Sequence, residues 1–139
     1  EIVSYANSKN YVCNINVSEE VMSVYTFKLI LQPFVENALL HGLFKTSNPT
    51  IDISGNIEND YITLTVSDNG IGIEKSVLEH INSANYLSSY KSYGIRNTVK
   101  RLALLYSGEG TVKIESEPGN GTKVIIRFKN LPKEVLENA

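Results

Sequence analysis

Three groups of residues carry types and spacings suited to chemistry. The first is Gln32, Pro33, Glu36, Asn37, Leu40 and His41. A spacing of four puts Asn37 and His41 on one face of a helix, with Gln32, Glu36 and Leu40 on the neighbouring stripe. Asn is a poor helix former, so an Asn in mid-helix invites a reason. Its side-chain carbonyl suits Mg²⁺, which keeps waters and substrate phosphates as its other ligands. Glu36 suits the orientation or polarisation of a nucleophile. A solvated polar face with a His near the helix C-terminus explains the same residues.

The second group is Asp68-Asn69-Gly70-Ile71-Gly72-Ile73, at the end of an alternating segment. An ionised Asp only accepts hydrogen bonds, so Asp68 can take the exocyclic amine of adenine and disfavour guanine. Gly70 and Gly72 would let a base lie against the backbone. A turn whose Asp caps its own loop is the plain alternative. The third group is Tyr93-Gly94-Ile95-Arg96-Asn97, opening a helix, where free amides beside Arg96 suit a phosphate. Gly119-Asn120-Gly121-Thr122 is less specific, and a glycine hairpin explains it equally well.

Other nucleotide and metal motifs fail. No Gly-Lys pair exists for a P-loop, position 75 is Lys where a dinucleotide fingerprint needs its third Gly, and Ser76 stands where an EF-hand needs its closing Glu.

The elements that must position these groups read as follows. Tyr11 to Val17 alternate as a half-buried strand. Ile30, Leu31, Phe34, Val35, Ala38 and Leu39 form a helical stripe within about 29–41, with Pro33 in its first turn. Ile51 and Ile53, then Ile62, Leu64 and Val66, mark an antiparallel hairpin around Glu58-Asn59-Asp60. A short helix covers 74–82 with Val77, Leu78 and Ile81 inward. Residues 83–93 read as a polar, Tyr-rich mobile loop. A strong amphipathic helix begins at Gly94, carrying Ile95, Val99, Leu102, Leu105 and Tyr106 on one face. A last hairpin carries Val112 and Ile114, then Val124, Ile126 and Phe128. The order predicts α+β: a mixed sheet with helices on one face. Residues 1–8 read as the end of a truncated connecting helix, 9–130 as the domain, and 131–139 as a frayed tail.

The 139 residues suit one domain, and 42% hydrophobic with 20% charged residues is a foldable composition. Thirteen basic and 15 acidic residues give a formal charge of -2, too little basic field for nucleic acid. One cysteine, Cys13, excludes an internal disulfide and a Cys-cluster metal site. No apolar run approaches about 18 residues, so no membrane span is expected. With no initial Met, the sequence reads as a piece of a longer protein.

In order, LQPFVENALLHG, VSDNGIGI, YGIRNTVKRLALLY and PGNGTKVIIRF resemble the ATP-binding domain of the GHKL superfamily, from about Tyr11 to Phe128. The first and third look like LytS/YesM-type sensor histidine kinases. The resemblance implies a two-layer α/β sandwich of the Bergerat type that binds Mg-ATP. Asn37 falls on the Mg²⁺-ligating Asn, Glu36 on its acidic neighbour, and His41 lies in the same box. Asp68 falls on the adenine-binding Asp, Gly70 and Gly72 on the first glycine box with Ile73 beside them. Tyr93 to Asn97 fall on the helix start that meets the phosphates, Gly121 and Thr122 on the last glycine box, and 74–93 on a short ATP lid.

The resemblance further implies γ-phosphoryl transfer to a His on a separate hairpin absent from this chain. It implies a response regulator downstream and a cytoplasmic location within a membrane-anchored sensor, without direct membrane contact by this domain. Alternatives of the same fold are a regulatory module without chemistry and an anti-sigma-type serine kinase. Pro33 stands where gyrase-type hydrolases carry their catalytic Glu. Leu40 stands where many related kinases have Lys or Arg, and Ser92-Tyr93-Gly94 where relatives often read Gly-x-Gly.

Overall fold

Strict alternation of apolar and polar residues builds the sheet. A computed structural model describes residues 2–4, 10–24, 30–39, 46–82 and 93–137. In these, β1 (Ile2–Ser4), β2 (Asn10–Val17), β3 (Thr50–Glu58), β4 (Tyr61–Asp68), β5 (Thr111–Ser116) and β6 (Thr122–Lys129) form one sheet in the order β1-β2-β3-β4-β6-β5. The β2–β3 pair is parallel and every other pair antiparallel, so the sheet is mixed as expected.

The β3–β4 hairpin closes through Asn59 and Asp60, both at positive φ (51° and 66°). Such a turn matches the twist of the flanking strands, and Asn and Asp tolerate that backbone best after Gly. Parallel β2 and β3 need a longer crossover, and α1 (Glu19–Met22) and α2 (Gln32–Asn37) lie within it.

Ile53, Val66, Val124 and Ile114 stand opposite one another across four strands, on the face that α3 (Lys75–Ile81) and α4 (Tyr93–Leu105) cover. Phe34 of α2 and Ala38 just after it, Ile81 of α3, and Ile95 and Leu102 of α4 join these strand residues in a single core. Phe128 is fully buried and packs on Tyr106 with ring centroids 5.2 Å apart. Truncating such a ring to Ala costs about 3–5 kcal/mol. The outward positions of β3 and β4 carry Asp52, Ser54, Thr63 and Thr65 instead, so the helices occupy one layer and the sheet the other.

Five local readings change. Ile2–Ser4 is a strand paired antiparallel with Asn10–Val12, not a helix end. The expected tail contains a short helix, α5 (Lys133–Glu137), tied by a Lys133–Glu137 ion pair at 3.5 Å, and Leu131 and Leu136 pack against the core. Among the described residues of the stripe read over 29–41, regular helix runs from Gln32 to Asn37, with Ala38 and Leu39 in a wider, π-type turn. Pro33 does lie in its first turn. The long amphipathic helix starts one residue early, at Tyr93. Val77, expected inward, is 50% exposed.

Leu40, His41 and residues 83–92 of the mobile loop expected at 83–93 lie outside the described residues.

Candidate functional site

The inner rows of the sheet are apolar until the last. There, Ile51 stands opposite Asp68, Asp68 opposite Thr122, and Thr122 opposite Ser116. By the two-residue period these side chains share the face of Ile53, Val66, Val124 and Ile114. The apolar core thus ends in a polar row, and a cavity of about 470 Å³ opens against it. Phe34, Val66, Ile71, Ile73, Ile81 and Val124 supply apolar walls; Asn37, Asp68, Glu74 and Thr122 supply polar groups. Val77 borders the same space, which accounts for its exposure.

Asp68 is half-buried. Its Oδ1 accepts the Gly70 N–H at 2.8 Å, so the loop-capping reading holds for one oxygen. Burial pushes the carboxyl above its ordinary pKa, and the backbone N–H groups of Gly70 and Thr122 pull it part of the way back. A carboxylate offers about four lone-pair sites, so acceptor capacity remains for a donor in the cavity.

The loop after Asp68 is fixed at both ends. Asn69 Oδ1 accepts the Thr50 N–H and its Nδ2 donates to the Asn48 carbonyl, both at 2.8 Å. Ile73 N–H donates to Ser116 Oγ at 2.9 Å, and Ser116 Oγ donates to the Gly121 carbonyl at 2.7 Å. Thr122 Oγ1 lies 3.0 Å from Ser116 Oγ. The single Ser116 proton is engaged on Gly121, so valence makes Thr122 the donor of that pair. One hydroxyl therefore joins three segments that border the cavity. Gly72 and Gly121 have positive φ (75° and 83°). A Cβ at Gly72 would collide with the Glu117 carbonyl, so side chains are excluded there on two grounds.

The helices add the remaining groups. Asn37, at the end of α2, faces the cavity. Glu36 is exposed, outside the lining, and accepts from Gln32 Nε2 at 2.8 Å. Gly94 abuts Pro33, so the start of α4 is packed on the first turn of α2. Arg96 and Asn97 are half-buried in that first turn, whereas Ile95 is 2% exposed and belongs to the core. Among the described residues, no group of three His, Cys, Asp or Glu side chains is placed to hold a metal ion.

Of the residues singled out in the sequence, the cavity therefore brings together Asn37, Asp68, Gly72, Ile73 and Thr122, with Gly70 and Gly121 buried directly behind them. Tyr93, Gly94, Arg96 and Asn97 gather at the start of α4, and Gly94, Arg96 and Asn97 do not line the cavity. Ser116 and Asn69 were missed. The signal for Ser116 was present: it lies two residues beyond Ile114 in the same strand. Asn69 had only its place within a turn.

Residues 24–132 match the family described as histidine kinase-, DNA gyrase B-, and HSP90-like ATPase. The chain belongs to that family. As a member of this ATPase family it is an ATP-binding domain, and its cavity suits a purine: apolar walls, one strong acceptor and no Cβ at Gly72.

The sensor protein LytS of Bacillus anthracis is 30% identical over 131 residues, covering 91% of this chain and 21% of that protein. The sensor histidine kinase YesM of Bacillus subtilis is 28% identical over 113 residues, covering 81% and 18%. This ATPase domain thus spans about a fifth of the length of the curated relatives it matches. Among solved structures, the catalytic domain of histidine kinase ThkA superposes with a TM-score of 0.66 at 19% identity, covering 88% of this chain and 82% of that one. A blue-light activated histidine kinase of Erythrobacter litoralis gives 0.65 at 17%, covering 91% and 37%. These agree with the expected two-layer fold and the expected kinship. Among the described residues no helix is long and apolar enough to cross a membrane.

Proposed function

We propose that this domain is the catalytic, ATP-binding part of a two-component sensor histidine kinase, holding Mg-ATP for γ-phosphoryl transfer to a His on a separate hairpin. The observation that carries the reading is the Asp68 carboxylate, a half-buried acceptor at the polar end of an apolar cavity. Asp68 accepts the adenine amine, and Phe34, Val66, Ile73 and Val124 exclude water around the base. Gly70 and Gly121 hold the backbone behind Asp68, and Thr122 adds a hydroxyl to the floor. Asn37 presents its carbonyl as a Mg²⁺ ligand, with His41 one turn further along the sequence. Bound Mg²⁺ would neutralise charge on the phosphate oxygens. Tyr93, Gly94, Ile95, Arg96 and Asn97 form the helix start that receives the phosphates, Arg96 by charge and the first amides by direction. Glu36, exposed beside Asn37, orients the nucleophile of the acceptor helix.

Catalysis in this reading is positioning plus charge neutralisation. The acceptor nitrogen forms a bond to the γ-phosphorus as the bond to the bridging oxygen breaks, and ADP leaves. A response regulator then receives the phosphoryl group. The domain works on the cytoplasmic side of a membrane-anchored sensor and needs no nucleic acid.

The test pairs calorimetry with phosphotransfer. Mg-ATP should bind more tightly than Mg-GTP, and γ-labelled ATP should label a His-bearing hairpin supplied in trans but not the domain alone. Equal affinity for both nucleotides would sink the base assignment. Binding without transfer to any hairpin of the LytS/YesM type would favour a regulatory module instead.

A further inference from the structure

One wall of the cavity is formed by α3. This helix has seven residues, too few to be stable without tertiary support, and it packs on β5. Ile81 is buried and Leu78 half-buried, while Val77 and Ile81 border the cavity. Asn82 follows directly. Its backbone N–H closes the helix on the Leu78 carbonyl at 3.0 Å. Its side-chain Nδ2 donates to the Ile114 carbonyl at 2.7 Å, and its Oδ1 accepts the Ile114 N–H at 3.2 Å.

β5 is an edge strand, and Ile114 directs these two backbone groups away from β6. A primary amide presents one donor and one acceptor in a plane, as a peptide unit does. The Asn82 side chain therefore adds a single rung to β5, as a neighbouring strand would. No other side chain of this size offers both halves: Asp lacks the donor, Ser lacks the reach, and Ala lacks both.

We propose that Asn82 is a positioning residue for base recognition: by pairing with Ile114 it fixes α3 on β5 and so places Val77 and Ile81 in the cavity wall. This rests on the ATP reading of the cavity. Without the rung, α3 loses its Asn82 tie to β5, the assembled cavity is populated less, and apparent affinity falls in proportion.

The test titrates the domain, Asn82→Ala and Asn82→Asp with adenosine and with Mg-ATP. Adenosine carries the base without phosphates, so it reads the cavity alone. Amide exchange across 75–81 and the thermal unfolding midpoint are measured without nucleotide. Both substitutions should weaken both ligands by the same factor, about tenfold if the wall is assembled a tenth of the time. Asn82→Asp, though matched in shape, should be no better than Asn82→Ala. Exchange should quicken across 75–81 while the unfolding midpoint moves little. If the unsubstituted domain binds neither ligand, the ATP reading fails and the positioning role with it. Adenosine binding in both variants within about twofold of the unsubstituted domain overturns the positioning role alone, as does full affinity in Asn82→Asp. Losses explained by the unfolded fraction would make Asn82 merely stabilising and overturn it equally.

Discussion

Gly121 sits with its Cα against the backbone carbonyl of Asp68, so closely that a side chain at 121 would collide with that oxygen. The last glycine turn and the Asp68 end of β4 are thus held together through backbone. Gly119 has nearly the same backbone, φ +82° against +83°, but open space around it. The pair separates two costs. Gly119→Ala should lose only the left-handed conformational penalty, about 1–2 kcal/mol. Gly121→Ala should lose more and should also weaken ATP, because the collision displaces Asp68. Urea unfolding and nucleotide titration of both variants check this; equal effects would show that the contact is slack.

Asp68→Asn keeps the shape and reverses part of the polarity. In the proposed binding mode one acceptor becomes a donor facing the adenine amine, a mismatch of about 1–3 kcal/mol. Mg-ATP affinity should drop several-fold or more, with Mg-GTP much less affected, in paired calorimetric titrations.

Asp68 also gives the nucleotide-free domain a pH signature. Its folded pKa lies above the ordinary 3.8, so the folded state binds this proton more tightly than the unfolded chain does. The stabilisation that follows is complete below the unfolded pKa and is lost as pH rises through the folded one. Chemical unfolding across that window should show this fall, superimposed on the other carboxyls. The difference between the domain and Asp68→Asn isolates it. An identical pH slope in both would refute the assignment.

Asn37→Ala tests the ion. In the proposed role the lost contact is to Mg²⁺, so ATP affinity should fall in its presence and change much less in EDTA. Equal losses under both conditions would make Asn37 a packing residue.

Much of this was legible because the sheet obeys a period of two. Ile62, Leu64 and Val66 predict Asp68 as the next inward residue, and Ile114 predicts Ser116 by the same step. Hydrogen-bonding partners were not legible: nothing in a single strand says that Ser116 will meet Ile73 and Gly121, which depends on three segments converging. The helix around Pro33 was readable in type but not in length, because its apolar stripe runs past Asn37 into a wider turn that keeps the same side chains inward. Val77 misled for a related reason. Apolar residues at helical spacing mean contact with something apolar, and here that is a cavity wall instead of the core.

Pro33 and Gly94 meet at the junction of α2 and α4. A Cβ at Gly94 would lie 3.1 Å from the Pro33 Cβ and 3.3 Å from its Cγ, against a ring that cannot rotate aside. The helix bearing Asn37 and the helix start bearing Arg96 are therefore clasped as one shoulder, while around Asp68 the Asn69 amide and the Ser116 hydroxyl add individual hydrogen bonds to the backbone contacts. Grip and aim are built separately. A lineage of this domain could retune its choice of purine through the floor of the cavity, and the shoulder would carry no record of the change.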